Sequence, residues 1–338
     1  MTRHETDALI VGAGPVGLFS VFQCGMAKIR CHVVDALEAM GGQCGALYPE
    51  KPIYDIPGHP KVLAAELIER LAEQAAPFAP TYHFGVQVSS LARQEDGRWL
   101  CGLSDGQSIV ARAVIICAGG GAFGPNRPPL DGIERFEGTS VFYMVSRRED
   151  FRGKRVVIAG GGDSAVDWAI SLAELAAKVM VVHRRPKFRA APESEARLKQ
   201  LADQGVIDLV VPYQLHGLDG AEGRLSAVVV ADLDGQTRRL DADALLPFYG
   251  LSTDLGPIAQ WGLGMDGHLI AVDPATGATD APGVFAAGDI CTYPGKLKLI
   301  LTGFAEAARV AHTAHDVVHP GEALHFEHST TSGVPKVS

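Results

Sequence analysis

Residues 7–17 read DALIVGAGPVG, and residues 155–165 read RVVIAGGGDSA. Each is a short apolar run followed by small residues at one spacing: Gly12-x-Gly14-x-x-Gly17 in the first and Gly160-x-Gly162-x-x-Ala165 in the second. A strand buried on both faces reads as a continuous apolar run, so Asp7–Val11 and Arg155–Ala159 are expected strands. Apolar residues then recur at helical spacing over Leu18–Met26 and Ala165–Leu175, and second strands are expected over Cys31–Val34 and Lys178–Val182. In a strand–turn–helix–strand unit of this kind the first glycine permits the tight turn. The second lets the backbone approach a pyrophosphate, and the third lets the helix pack on the strand. The helix N-terminus favours the phosphate charge. Gly12, Gly14 and Gly17 are therefore candidate residues of one dinucleotide site, and Gly160, Gly162, Asp163, Ser164 and Ala165 of another.

The two copies part at the end of the second strand. The first ends at Asp35, just over 20 residues past Gly12, where a carboxylate accepts from a ribose hydroxyl. The second ends in His183-Arg184-Arg185, with Arg189 four residues on. An acid at that position repels a 2′-phosphate, whereas guanidinium groups bind one by charge-assisted, bidentate bonds. The first site thus fits FAD or NAD, and the second fits NADP(H). Hydride leaving a nicotinamide needs an acceptor, and a flavin is the usual one, which selects FAD for the first site.

The chain has 338 residues, room for about two domains. The second unit lies inside the chain, so the first is expected to be discontinuous. Gly119-Gly120-Gly121 and the Pro-rich 125–129 segment read as the crossover, Phe248-Tyr249-Gly250 as the return, and the stretch from Gly283 through Gly288-Asp289-Ile290 as a strand end rejoining the first domain. The expected fold is α/β. It has two Rossmann-like three-layer dinucleotide-binding domains, an FAD domain over 1–121 and 250–318 and an inserted NADPH domain over 122–249, followed by a C-terminal extension over 319–338.

Composition narrows the function. With 30 Lys+Arg against 39 Asp+Glu the net charge is −9, which argues against a general nucleic-acid or anionic-membrane binder. No apolar run approaches the ~18 residues of a membrane span. Met1–Asp7 is polar, with no signal-peptide pattern after it. The six cysteines, Cys24, Cys31, Cys44, Cys101, Cys117 and Cys291, are scattered and form no C-x-x-C, so neither a disulfide framework nor a metal site is expected, and the location expected is cytoplasmic.

Longer strings carry a resemblance that covers nearly the whole chain. GGQC (41–44), HRRPKFRA (183–190) and GVFAAGDI (283–290), with the two glycine motifs, resemble the thioredoxin-reductase-like flavoproteins. ALYPEKPIYDIPG (46–58), GGGDSAVDWA (160–169), GDICTYPGK (288–296) and HSTTS (328–332) are similar, more specifically, to the bacterial ferredoxin–NADP reductases of that type. The resemblance implies FAD contacts from Asp35, Gln43, Val88 (through its backbone), Phe123, Asp289 and Thr330, with Tyr48 stacking on one flavin face and His328 on the other. It implies NADPH contacts around Gly160 and from His183 to Arg189. It also implies that the helix expected over Leu301–Val318 points its N-terminus near the flavin. True thioredoxin reductases carry a C-x-x-C just before the second nucleotide-binding strand, and the corresponding 141–148 segment, VFYMVSRR, holds no cysteine. A dithiol is needed to pass electrons to a disulfide, so the reduced flavin must deliver electrons directly to an external acceptor; the resemblance implies that this is ferredoxin or flavodoxin, reduced one electron at a time. Ferredoxins are usually acidic, which makes Lys296, Lys298, Arg147 and Arg148 candidates for a local docking patch. A tail able to reach a partner's flavin implies a homodimer.

Two other readings stand beside it: a thioredoxin-reductase-like NADPH-dependent flavoprotein reductase or oxidase with another acceptor, and a non-catalytic redox sensor that binds FAD and NADPH.

Overall fold

The computed structural model describes residues 2–324. They form two compact units. One takes the described residues up to Phe123 and those from Thr253 onward, and the other is Gly124–Ser252. The change-overs fall a few residues past the expected 121 and 249. The short strands Ala122–Pro125 and Leu251–Asp254 pair with each other where the chain passes from one unit to the other and back.

The first unit is built around β1 (Arg3–Val11), whose second half, Ala8–Val11, is buried throughout. On one side β1 pairs in parallel with β2 (Cys31–Asp35), and β2 in turn with Thr81–Phe84. On the other it pairs in parallel along the length of Ser108–Ile116, from Arg3 opposite Ser108 to Val11 opposite Ile116. That long strand serves two partners along its far edge. Its first half pairs antiparallel with Trp99–Leu103, which continues the meander to Val88–Arg93, and its second half pairs in parallel with Val284–Ala286. Helices α1 (Pro15–Met26), α2 (Gly42–Leu47) and α3 (Ala64–Ala75) follow in chain order. Pro15 at the first helical position has no N–H to leave orphaned.

The second unit repeats the arrangement. Four parallel strands run in the order Ile207–Val210, Lys178–Val182, Arg155–Ala159, Ala244–Pro247. Helix α4 (Asp163–Leu172) follows the glycine turn, and α5 (Pro192–Asp203) precedes Ile207–Val210. Helix α4 starts and stops earlier than the apolar spacing over 165–175 predicts; at its end the Leu172 carbonyl takes the N–H of both Leu175 (3.1 Å) and Ala176 (2.9 Å). An antiparallel meander over Gln214–Asp241 buries Leu225, Val228, Val230 and Leu240 against Val157, Ala159, Met180 and Val182.

The last helix, α6 (Ile300–Val318), belongs to the first unit and packs beside α1. Its Gly303 lies against Val16 in the first turn of α1 so closely that a Cβ there would overlap the valine. The architecture is the expected α/β one, with two Rossmann-like segments.

Candidate functional site

Both glycine turns are stitched to their sheets by the same hydrogen bonds. Gly12 N–H donates to Val34 O (2.8 Å) and Cys117 N–H to Val11 O (2.7 Å). In the second unit Gly160 N–H donates to Val182 O (3.0 Å) and Phe248 N–H to Ala159 O (2.8 Å). Equivalent bonds make Asp35 and His183 equivalent positions, each one residue past the strand residue that accepts. Within each turn the small residues do different work. Gly12 has φ +108°, and a Cβ there would press on the Cys117 carbonyl. One on Gly17 would overlap the Gly12 carbonyl, and one on Gly160 would come within 2.6 Å of Phe248 O. Those positions are fixed by packing. A Cβ on Gly14 would meet only the Cα of Gly42, at 3.9 Å, and one on Gly162 would meet nothing within 4 Å. These two middle glycines face open space.

That space lies at the N-termini of α1 and α4. Gly14 and Gly162 are their N-caps, and neither helix has a side-chain cap bond, so the first-turn N–H groups are available to an anion. The edge of the first site is lined by further expected residues. Asp35 Oδ2 accepts the Ala13 N–H at 2.6 Å and Oδ1 the Leu37 N–H at 2.8 Å. Burial raises its carboxyl above the ordinary range, while these two bonds lower it, a setting that further hydroxyl donors would relieve. The GGQC turn packs on the same glycine turn. Gly41 N–H donates to Ala13 O (2.9 Å), and a Cβ on Gly42 would stand 3.1 Å from the Gly14 Cα. Gln43 Oε1 accepts from the Tyr48 hydroxyl at 3.3 Å, and Lys51 Nζ lies 5.8 Å from the centre of the Tyr48 ring. Burial, with smaller contributions from Cys44 and Asp289, pushes the Tyr48 phenol up to about 12. Asp289 is exposed between buried Gly288 and Ile290. Val88 is buried, at the start of a strand whose lead-in meets Asp35 through Val86 N–H to Asp35 O, 3.2 Å. Phe123 lies in Ala122–Pro125. His328 and Thr330 lie outside the described residues.

In the second unit the arginine-rich loop folds back onto its glycine turn. Arg189 N–H donates to Gly161 O (2.6 Å) and Ala191 N–H to Asp163 Oδ1 (2.9 Å). The His183 ring packs where a Cβ on Gly161 would stand, and its other neighbour is Phe188, with ring centres 5.1 Å apart. Burial lowers the imidazole pKa, and Arg184, Arg185 and Arg189 lower it further, against a backbone bond at Lys187 that raises it. Those three arginines are exposed, and none is in an ion pair among the described residues. Ser164 is exposed at the start of α4, beside Asp163, and Ala165 is buried where the first unit has Gly17. The bond to Ala191 shows Asp163 as a tether of the arginine loop.

Comparison with known proteins gives a consistent relation. Residues 6–316 match the model of the pyridine nucleotide-disulphide oxidoreductase family. The chain is 84% identical over 336 residues to the ferredoxin–NADP reductase of Paramagnetospirillum magneticum, covering 99% of this chain and all of that protein. It is 66% identical to the ferredoxin–NADP reductase of Rhodospirillum rubrum, covering 99% of this chain and 98% of that one. The chain belongs to the ferredoxin–NADP reductases of the pyridine nucleotide-disulphide oxidoreductase family. Its fold is shared with a thioredoxin reductase of T. acidophilum, at TM-score 0.78 and 23% identity over 93% of this chain and 98% of that one. A thioredoxin reductase of Lactococcus lactis gives 0.77 and 22%, over 93% and 99%.

The ferredoxin–NADP reductases of this family use FAD and NADP(H), and the residues fit both groups. An open, uncapped helix start with a strand-end acid suits an FAD pyrophosphate and ribose, and one with a strand-end arginine cluster suits a 2′-phosphate. All six cysteines are buried and none is in a disulfide; the Cys31 thiol meets Cys24, and that bond together with burial pushes it well above the ordinary thiol range. Burial is the first cause that pushes Cys44 up to about 11 and Cys101, Cys117 and Cys291 up to about 12. Among the described residues, no helix is long and apolar enough to cross a membrane.

Of the expected docking cations, Lys296 needs correction. The Lys296 side chain is 5% exposed and ion-paired with Glu306. Arg147 and Arg148 are engaged by Asp150 and Glu174 at 2.6 and 2.7 Å. Lys298 is exposed. Sequence reasoning missed Glu306, although its signal was visible: a lone acid on the buried stripe of α6, among Ala307, Val310, Ala311 and Ala314.

Proposed function

We propose that this chain transfers electrons between NADPH and ferredoxin, with FAD on the first unit and NADP(H) on the second. The observation that carries the assignment is the exchange of Asp35 for His183-Arg184-Arg185 at equivalent strand ends, each beside an open, uncapped helix start. Bound FAD supplies the change from two-electron to one-electron chemistry.

The protein's own residues bind and orient. The Gly14 and Gly162 turns present backbone N–H groups to pyrophosphate. Asp35 takes ribose hydroxyls, and Arg184, Arg185 and Arg189 select the 2′-phosphate. Tyr48, its hydroxyl turned to Gln43, offers a ring face to the isoalloxazine, and Asp289 offers a carboxylate to the ribityl chain. The thiols are buried, and none lies in a C-x-x-C, which favours direct delivery to a protein acceptor over exchange with a disulfide.

Anaerobic mixing of the flavin-loaded protein with equal concentrations of NADPH and NADH tests this division. NADPH should bleach the flavin absorbance far faster. Equal rates, or no bleaching by either, would refute it. We extend the reading to flavodoxin as a second acceptor, to a homodimer and to a cytoplasmic location. Flavodoxin reduction assays, sedimentation and cell fractionation test these in turn.

A further inference from the structure

Beneath the Gly288–Asp289 turn, Glu306 is 3% exposed. Its carboxylate accepts the Gly288 N–H at 2.7 Å, the Tyr293 hydroxyl at 2.6 Å and the Lys296 ammonium. The Cys291 thiol lies 3.7 Å away. Donors from three points of one loop thus converge on one helical carboxylate. Stability alone is a weak reason for such a group, because well-packed apolar residues often replace a buried ion pair at no loss.

The placement gives another reason. One turn before Glu306, Gly303 packs on Val16 in the first turn of α1, and a Cβ there would stand 3.4 Å from the Gly288 Cα. The carboxylate therefore ties the turn that carries Asp289 to α6, at the place where Gly288 and Gly303 both pack on Val16 of α1. In the same turn Asp289 is exposed, beside the Gly288 whose N–H Glu306 takes. Burial, with the bond to Glu306, pushes the Tyr293 phenol up to about 12, so it remains a donor across the neutral range.

We propose that Glu306, with Lys296 and Tyr293, is the positioning residue of the FAD site, fixing the Gly288–Asp289 turn against the first turns of α1 and α6. The assignment rests on the reading of the first unit as the FAD site. FAD does not touch Glu306 in this scheme. The carboxylate acts through the turn it holds.

The test compares flavin-loaded wild type with Glu306→Gln, the double variant Glu306→Met/Lys296→Met, and Tyr293→Phe. FAD release on dilution, the flavin absorbance spectrum and the melting temperature in excess FAD are measured. Glu306→Gln leaves Lys296 buried without its counter-charge and should lower both stability and FAD retention. The double variant removes the stranded charge and should recover the melting temperature. It should still release FAD about tenfold faster, with a shifted spectrum, because Gly288 has lost its acceptor. Tyr293→Phe, which keeps shape and charge, should also shift the spectrum. Recovery of FAD retention and spectrum together with stability would reduce the group to core packing and overturn the proposal. So would an unchanged Tyr293→Phe if the other variants fail to fold. A wild type that binds no FAD would overturn the cofactor reading instead.

Discussion

The Ala13 N–H, inside the first glycine turn, donates to Asp35 Oδ2 at 2.6 Å. With Leu37 N–H on Oδ1 at 2.8 Å, the strand-end acid is locked to the turn that would cradle the pyrophosphate. The ribose acceptor and the phosphate site are therefore one rigid piece. Asp35→Ala strands two backbone donors, each worth about 1–3 kcal/mol when left unsatisfied. It should lower the melting temperature and yield protein that loses its flavin during purification. Full flavin content in Asp35→Ala would remove Asp35 from the site.

The open glycines separate binding from folding. Gly14 and Gly162 have ordinary negative φ (−72° and −96°) and room for a Cβ, so Gly14→Ala and Gly162→Ala should fold and melt near the wild-type temperature. The added methyl then stands where a phosphate approaches. Gly14→Ala should weaken FAD retention, and Gly162→Ala should raise KM for NADPH. Gly17→Ala should instead lose stability, because its methyl overlaps the Gly12 carbonyl. Calorimetry and nucleotide titration on the three variants check the split, and similar behaviour in all three would contradict it.

A histidine cluster sets a pH dependence away from the site. The His32 and His83 rings meet at 3.0 Å, and His4 lies beside both, with ring centres within 6 Å. Burial first, then His83, His4 and Arg30, hold the His32 imidazole at about 4, below its ordinary 6.5. The folded pKa is depressed, so between these values the unfolded chain binds the extra proton. Stability from this group is complete above pH 6.5 and is lost as pH falls toward 4. The melting temperature should drop across that window, and His32→Asn should flatten the drop. Parallel curves for the two proteins would show that His32 does not contribute.

Much of this was legible in the sequence, for physical reasons. The glycine spacing is a backbone requirement, so Gly12, Gly17 and Gly160 announce their turns wherever they occur. The contrast of Asp35 with Arg184 and Arg185 is one of charge type at a fixed position, which needs no coordinates. Lys296 shows the opposite case. Its neighbours in KLK read as surface, and only folding brings Glu306, ten residues on in α6, against it. Gly42 facing Gly14, and Arg189 returning to Gly161, are likewise contacts between distant segments that no local pattern encodes.

Arg184 and Arg185 should decide between NADPH and NADH. Loss of a hydrogen bond to a charged group costs about 1.5–3 kcal/mol. The double substitution Arg184→Ala/Arg185→Ala should therefore raise KM for NADPH by more than tenfold. KM for NADH should change little. Steady-state kinetics with both nucleotides reads this directly, and equal effects on the two would mean that the arginines face solvent only.

The most direct test of electron transfer between NADPH and ferredoxin is cytochrome c reduction by the flavin-loaded protein, with NADPH as donor, in the absence and presence of added ferredoxin. A slow basal rate that rises with ferredoxin concentration to saturation, and that collapses when NADH replaces NADPH, is the predicted result. A rate indifferent to ferredoxin would contradict the account.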